Sequence, residues 1–157
     1  MMHHVYIGLG SNLGNKRQNI NDAIRLIGER VGTVVGQSSL LESKPWGFLS
    51  ANTFLNGAVH VETSLSPHEV LATTQQIERE LGKREEHATQ RRSSGKCQST
   101  DDLQHSSVIK YKDRPIDIDI LLYDDVHMRS PELTLPHPLM YDRPFVMQPL
   151  REILTTP

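Results

Sequence analysis

Two aspartates, Asp117 and Asp119, alternate with isoleucines in the segment 116–120, Ile-Asp-Ile-Asp-Ile. This alternation is typical of a β-strand with one face in the core, and it puts both carboxylates on the other face, roughly 6.5–7 Å apart at Cα. Carboxylates at that spacing can converge on two metal ions, and oxygen-only ligands favour Mg²⁺, which completes its shell with water and substrate phosphates. A half-exposed strand with solvated acids is the alternative. Because Asp is depleted in strands, we favour the metal site.

Basic residues precede this strand in the chain. They are Lys83, Arg84, Arg91, Arg92, Lys96, Lys110, Lys112 and Arg114. Arginine suits bidentate contact with phosphate oxygens. Arg114 is close in sequence to the two acids, so we expect it to contact phosphate. Arg91, Arg92 and Lys96, taken one at a time, are more typical of a solvated loop.

Five further residues could contact a nucleotide or a flat ring, and each also has a structural interpretation. Phe54 and Phe145 could stack on a ring, although most phenylalanines belong to a core. His137, which lies between two prolines, could form a hydrogen bond to a phosphate or a ribose, although a lone histidine is more often structural. Gln75 and Glu78 lie one turn apart on a predicted helix, where such residues commonly form an ordinary polar face.

The elements that must position these residues follow from the hydrophobic periodicity. Alternation predicts strands over residues 4–9, 33–41 and 53–63 and a strong strand ending at Tyr123. Helical spacing predicts one helix that stops at Gly32 and a second that runs from a capping box at 66–69 to a stop at Gly82. The order β-α-β-β-α-β predicts an α+β, ferredoxin-like fold, an antiparallel sheet with helices packed on it. Prolines after the last strand leave room for short C-terminal helices.

Two loops are also predicted. The glycines and asparagines of residues 8–15 tolerate positive φ, and this segment is predicted to be a tight turn after the first strand. Residues 85–107 have almost no apolar side chains and no periodicity. A connection of this length in a compact domain is typical of a lid, so we predict a long flexible lid loop there.

Composition limits the function classes. The chain has 157 residues, 36% of them hydrophobic, and a net charge of −2, which suits a single globular domain over residues 1–157. There is no basic stripe typical of a nucleic-acid partner and no apolar run of membrane-spanning length. The single cysteine, Cys97, excludes an intramolecular disulfide and fits a cytoplasmic location. We take a monomer as the default.

Seven motifs follow one another along nearly the whole chain. They are Tyr6-Ile-Gly-Leu-Gly-Ser-Asn-Leu, Phe54-Leu-Asn-Gly-Ala-Val, Glu62-Thr-Ser-Leu-Ser-Pro, Gln75-x-Ile-Glu, Arg114-x-x-Asp-Ile-Asp-Ile-Leu-Leu, Leu135-Pro-His-Pro and Arg143-Pro-Phe-Val. None is decisive alone, but seven in the right order are a specific signal. In this combination the chain resembles hydroxymethyl-dihydropterin pyrophosphokinase of folate biosynthesis.

The resemblance implies transfer of pyrophosphate from ATP to the hydroxymethyl group of 6-hydroxymethyl-7,8-dihydropterin, which gives AMP and a pterin diphosphate. It implies that Asp117 and Asp119 hold two Mg²⁺ ions, and that Arg114 closes over the phosphates with Lys83 or Arg84. By match, the ATP site comprises Gln75, Glu78, Lys83, Ile120, Thr134, His137 and Arg143. By match, the pterin site comprises Pro45, Trp46, Gly47, Phe54, Asn56 and Phe145.

Two other functions stay open at this point. One is a non-catalytic ferredoxin-like module that binds a ligand or regulates a partner. The other is a nucleotide-binding enzyme of the same fold that acts on a different heterocycle. The paired acids, together with Asn56 and Phe145, favour the enzyme, because a binding module does not need both a metal site and a ring site.

Overall fold

Strands and helices alternate along the chain in the computed structural model, which describes residues 2–43, 53–92, 115–138 and 140–154. In chain order the elements of these ranges are β1 (His3–Ser11), α1 (Lys16–Arg30), β2 (Thr33–Gln37), β3 (Leu41–Ser43), β4 (Phe54–Thr63), α2 (Pro67–Arg92), β5 (Asp117–Tyr123), β6 (Met128–Arg129), β7 (Thr134–Leu135), a 3-10 turn (Met140–Asp142) and α3 (Pro144–Leu154).

The main sheet has the strand order β2-β4-β1-β5, and β3 pairs with β4 beyond the end of β2. All of its strand pairs are antiparallel. The alternation that predicted β1 fixes which face is buried, because Val5, Ile7 and Leu9 all point into the core. The residues between them point to the opposite face.

Helices α1 and α2 cover the face of the sheet that carries Val5. Helix α1 begins where the side chain of Asn15 accepts a hydrogen bond from the Gln18 backbone N–H. Helix α2 begins at the predicted capping box, in which Ser66 and Glu69 each accept a hydrogen bond from the other's backbone N–H. Ile20, Ala23, Ile27, Val70 and Ile77 form the apolar stripes that fill the core beneath them.

The opposite face of the sheet carries α3. Its Leu150 and Ile153 pack with Met140 against Ala58 of β4 and Leu121 of β5. The predicted short C-terminal helices are confirmed by the 3-10 turn and α3. Pro144 starts α3, as expected for the first helical position, where no backbone donor is needed.

The predicted tight turn at residues 8–15 is wrong over its first half. Gly8 and Gly10 lie inside β1, which runs on to Ser11, and the chain bends only after it. Gly14, with φ of 68°, has the left-handed conformation that the turn requires. Glycine is common in turns, but two glycines at a spacing of two also fit one face of a strand.

Gly82 does not end α2, which continues to Arg92. A single glycine costs a helix only about 1 kcal/mol relative to alanine, and the following Lys-Arg-Glu-Glu segment consists of good helix formers. The start of the predicted 85–107 lid is therefore helical, and residues 93–107 lie outside the described ranges. No helix in the described ranges is both long and apolar enough to cross a membrane.

The strand predicted over residues 33–41 is two strands, β2 and β3. Gln37 is opposite Val59 and Leu41 is opposite Asn56, so the β2–β3 side holds one residue more than β4 between the two pairs. Such an extra residue is a β-bulge, which bends a strand and changes which side chains face which way. The strand predicted over residues 53–63 is confirmed as β4.

Candidate active site

A cavity of about 370 Å³ lies at the outer end of the sheet, beside β5. Helix α2 forms one wall, and the turn between β6 and β7 with the segment after it forms another. The lining residues are Leu71, Gln75, Glu78, Asp117, Ile118, Asp119, Ile120, Ser130, Pro131, Glu132, Leu133, Thr134, His137 and Pro138. Both candidate metal ligands and several residues predicted for the ATP site therefore line one cavity.

Asp117 and Asp119 lie on the face of β5 that is turned away from α1 and α2. Ile118 and Ile120 fill the core on the other face, as the alternation predicted. Asp119 is 40% exposed at its side chain, so it remains accessible to a ligand. Both acids project from a strand that is held on its inner side by β1.

Glu78 joins α2 to the strand of the two acids. Its carboxylate accepts a hydrogen bond of 2.7 Å from the backbone N–H of Ile118, the residue between Asp117 and Asp119. Within the described sheet β5 is the last strand, and this N–H is directed away from β1. Glu78 therefore satisfies a donor of the sheet edge and fixes the backbone between the two candidate ligands.

His137 lies beside the acids, with Nε2 4.0 Å from an oxygen of Asp119. Its backbone N–H donates to the carbonyl of Leu121, which anchors the segment after β7 to the outer edge of β5. Burial, and then the positive charge of Arg143, lowers the pKa of His137 below its ordinary value. A neutral imidazole can donate or accept a hydrogen bond toward a phosphate or hydroxyl.

The cavity is rich in carboxylates, with Glu78, Asp117, Asp119 and Glu132 along its lining. A polyphosphate would be repelled by these charges unless cations neutralised them. In the described residues no three or more His, Cys, Asp or Glu side chains are grouped closely enough to hold a metal. A cation bound by two carboxylates must take its other ligands from water or from a substrate.

A second group of predicted residues surrounds the end of β1. Asn56 is buried, and its amide Nδ2 donates to the carbonyl of Leu41 at 3.1 Å. A Cβ atom on Gly10 would lie 3.3 Å from Oδ1 of Asn56 and 3.6 Å from the ring of Phe54. The glycine thus leaves room beside the amide and the ring that a larger residue would fill.

Gly10 connects the two groups. It is opposite Asn56 on β4 and opposite Asp117 on β5, so the three residues form one row across the sheet. Opposite residues of antiparallel strands point to the same face, and neighbouring strands lie about 4.8 Å apart. Asn56 and Asp117 are therefore roughly 10 Å apart at Cα, with only a glycine between them.

Phe145 and Arg143 lie at the start of α3, the helix that packs on this same face of β4. The guanidinium carbon of Arg143 lies 5.9 Å from the centre of the Phe145 ring. Both residues are half-buried. Neither of them lines the cavity beside β5, so the predicted contact of Arg143 with ATP stays a prediction.

The structure brings together seven of the predicted residues in the cavity: Gln75, Glu78, Asp117, Asp119, Ile120, Thr134 and His137. Phe54 and Asn56 lie across Gly10 from them. Lys83 and Arg84 belong to α2, but their side chains are not described. Pro45, Trp46, Gly47 and Arg114 lie outside the described residues, so their predicted roles stay predictions.

Several features of the site were not predicted. Gly8 and Gly10 are two residues apart and so share one face of β1. This spacing could have indicated a surface without side chains in the middle of the sheet, between the site residues of β4 and β5. The turn between β6 and β7 contributes Ser130, Pro131 and Glu132 to the cavity, and no local pattern announces such a role.

The family model described as 7,8-dihydro-6-hydroxymethylpterin-pyrophosphokinase (HPPK) matches residues 6–155. The chain belongs to the HPPK family. The match includes both groups of site residues and the strands that carry them.

Relatives named as pyrophosphokinases of this family align over almost all of the chain. A 2-amino-4-hydroxy-6-hydroxymethyldihydropteridine pyrophosphokinase from Porphyromonas gingivalis is 41% identical over 150 residues, which is 95% of this chain and 89% of the relative. The protein of the same name from Bacillus subtilis is 37% identical over 149 residues, which is 94% of this chain and 76% of the relative.

The HPPK fold is also seen in a more distant crystal structure, of an HPPK-DHPS protein in complex with substrates. It superposes with a TM-score of 0.67 at 11% identity and covers 97% of this chain and 40% of that longer chain. At this identity the similarity supports the fold alone.

Proposed function

We propose that this HPPK family member transfers pyrophosphate from ATP to the hydroxymethyl group of 6-hydroxymethyl-7,8-dihydropterin, releasing AMP. The observation that carries the proposal is the row Asn56–Gly10–Asp117, which sets a buried amide beside an aromatic ring at one end and a carboxylate cavity at the other. A ring bound at Asn56 would extend its hydroxymethyl arm over Gly10 toward the cavity.

The donor set of the cavity fits Mg²⁺. Asp117 and Asp119 supply oxygen ligands from one strand face, and the cavity leaves space for water and phosphate oxygens. When bound, Mg²⁺ neutralises phosphate charge and lowers the pKa of a nearby hydroxyl. We propose two ions, held by these two aspartates.

The side chains of the protein mainly orient the reactants and exclude water. The hydroxyl oxygen of the pterin forms a bond to the β-phosphorus of ATP. The bond from that phosphorus to the oxygen bridging the α-phosphorus breaks, its electron pair leaves with AMP, and the hydroxyl proton passes to solvent. Such transfers depend on alignment and charge neutralisation more than on a strong base.

We propose roles for individual residues from their positions and from the motif match. Asn56 would form hydrogen bonds to the edge of the pterin ring, and Phe54 and Phe145 would stack on the two faces of that ring. Gln75, Ile120, Thr134 and His137 would contact ATP. Glu78 would act through the strand by fixing the Ile118 backbone. The contacts of Pro45, Trp46, Gly47, Lys83, Arg84, Arg114 and Arg143 are retained as proposals from the motif match.

The architecture and the context of the protein are part of the same proposal. The strand order β2-β4-β1-β5, with two helices on one face, supports the ferredoxin-like arrangement. We further propose that residues 1–157 act as one domain and as a monomer in the cytoplasm, with ATP and the pterin alcohol as partners.

Identification of the nucleotide product tests the reaction. Wild-type protein, MgATP and the reduced pterin alcohol should yield AMP by chromatography, and the pterin product should show a diphosphate in its ³¹P spectrum. Asp117→Asn and Asp119→Asn should lower the rate by roughly 10²- to 10³-fold, because the phosphate charge is no longer neutralised.

Asp125→Asn is the matched control, since Asp125 is an exposed carboxylate in the turn after β5. It should keep the wild-type rate. ADP as the product would reject pyrophosphate transfer. Binding of both ligands without any turnover would instead support the non-catalytic module.

A further inference from the structure

The bulge between β2 and β3 leaves the backbone of Ser39 outside the sheet ladder. Ser38 still pairs with β4, since its N–H donates to the carbonyl of Ala58 and its Oγ accepts from the Ala58 N–H. Pairing resumes at Leu41, one residue out of step with β2. The N–H of Ser39 therefore needs a partner from elsewhere in the fold.

Glu152, near the end of α3, supplies that partner. Its two carboxylate oxygens accept hydrogen bonds from the Ser39 N–H at 2.9 Å and from the Ser39 hydroxyl at 2.8 Å. These bonds lower the pKa of Glu152 below its ordinary value. The two residues are 113 positions apart in the chain, so this contact ties the C-terminal helix to the bulge.

The bulge sets the position of the carbonyl that orients Asn56. With β3 in its observed register, Leu41 is opposite Asn56 and its carbonyl accepts from Nδ2 of the amide. Nδ2 is therefore held toward β3, and Oδ1 lies toward Gly10. Nδ2 also donates to the Phe54 carbonyl of its own strand, at a longer 3.5 Å. A slip by one residue would bring Leu40 opposite Asn56 and remove the Leu41 contact, the shorter of these two hydrogen bonds.

We propose that Glu152 is a positioning residue for ring recognition, which holds Ser39 and thereby the register in which Leu41 orients the Asn56 amide. The proposal rests on the proposed function for the identity of the ring. It assigns to α3 two separate contributions to one site, with Phe145 at its start and Glu152 near its end, two turns further on. An amide turned by 180° would offer the ring a donor in place of an acceptor.

The test separates pterin binding from ATP binding. Glu152→Ala should raise the Kd of the reduced pterin roughly fivefold, the size expected for loss of one solvent-exposed charged hydrogen bond. The Kd of MgATP should stay within about twofold of the wild-type value. Glu152→Gln should restore most of the affinity, because an amide can accept from the N–H and donate to the hydroxyl oxygen. Ser39→Ala keeps the hydrogen bond from the residue-39 backbone N–H to Glu152 and should raise the pterin Kd only about twofold.

Gln148→Ala is the control, because Gln148 is exposed on the same helix. It should change neither dissociation constant. An unchanged pterin Kd in Glu152→Ala, or an equal loss of pterin and ATP affinity, would overturn the positioning role.

A second readout needs no ligand, and it stays informative if the proposed reaction fails. The side-chain amide signals of Asn56 in ¹⁵N NMR spectra of the free protein should shift in Glu152→Ala and not in Gln148→Ala. Unshifted signals would refute the inference by themselves. If wild-type protein bound no pterin while these signals did shift, the proposed function would fail and the link from Glu152 to Asn56 would stand.

Discussion

At the scale of single residues, Glu78 has a structural contact in addition to its predicted role in the ATP site, which stays a prediction. The motif match assigned it to the ATP site, and it does line the cavity. Its described contact, however, is with the Ile118 backbone. A helix polar face gives no hint of such a bond, because the partner lies 40 positions away in the chain.

We predict that Glu78→Ala slows AMP formation by roughly tenfold, since a part-buried N–H between the two aspartates loses its acceptor. Glu78→Gln keeps an acceptor oxygen and should stay within about threefold of wild type. Initial rates at saturating ATP and pterin measure both. Arg79→Ala, at an exposed neighbouring position, should be neutral. If the glutamine variant were as slow as the alanine variant, the charge of Glu78 would matter rather than its hydrogen bond.

His60 provides a pH-dependent feature away from the cavity. Burial, and then the neighbouring His4, lowers its pKa from the ordinary 6.5, while Glu62 opposes the change. The two imidazoles share a 2.9 Å contact, and the Tyr6 ring stacks on His60 at 4.4 Å. Because the unfolded chain binds this proton more readily, the stability from His60 is complete above pH 6.5 and is lost as the pH falls through the folded-state pKa.

NMR titration of the wild-type protein should therefore give a His60 midpoint below 6.5, and His4→Gln should raise it by removing the repulsive neighbour. The free energy of unfolding, measured in urea, should differ less between pH 5 and pH 8 for His60→Gln than for the wild-type protein. His127→Gln, in the exposed turn after β5, should keep the wild-type difference. A His60 midpoint at or above 6.5 would contradict the assignment.

At the scale of elements, two glycines that were both predicted to stop helices have opposite surroundings. A Cβ on Gly32, at the junction of α1 and β2, would lie 2.0 Å from the Glu62 carbonyl oxygen of β4. A Cβ on Gly82, inside α2, would meet no atom of the described residues within 4 Å. The first glycine permits close packing of a loop on a strand, and the second only weakens a helix.

Gly32→Ala should thus lower the free energy of unfolding by roughly 1–3 kcal/mol, because the backbone must move to relieve the overlap. Gly82→Ala should raise it by about 0.5–1 kcal/mol through helix propensity. Urea unfolding monitored by circular dichroism measures both. Equal effects of the two substitutions would show that the Gly32 junction adapts freely.

Predictability from the sequence also differs between elements. The strands β1, β4 and β5 were predicted because apolar residues alternate along part of each strand, where one face packs on α1 and α2. The break between β2 and β3 was missed, because Gly-Gln-Ser-Ser-Leu-Leu has no alternation to interrupt. The two aspartates and Asn56 could be proposed from their motifs, whereas Ser39 and Glu152 depend on a contact between distant segments that no local pattern encodes.

At the scale of the whole molecule, we predict a monomer. Among the described residues the exposed large apolar side chains are Met2, Val35, Tyr141 and Leu154, and they belong to different parts of the fold. Stable interfaces need a contiguous area of roughly 1,000 Å² or more. Size-exclusion chromatography with light scattering should give the monomer mass at all concentrations up to about 100 μM, a range in which weak dimers form. If the wild-type protein gave a dimer mass and Val35→Asp gave the monomer mass, the dimer interface would include β2.

The position of β5 at the end of the described sheet has a consequence for solubility. An end strand offers backbone groups to any other strand, and this is how many proteins begin to aggregate. Here the Ile118 N–H is occupied by Glu78 and the Leu121 carbonyl by His137. If a second copy paired with this strand, the negative charges of Asp117 and Asp119 would lie close to the same charges of that copy and repel them. The two carboxylates proposed to hold Mg²⁺ thus also discourage two copies from joining edge to edge, and a variant without them is expected to aggregate more readily.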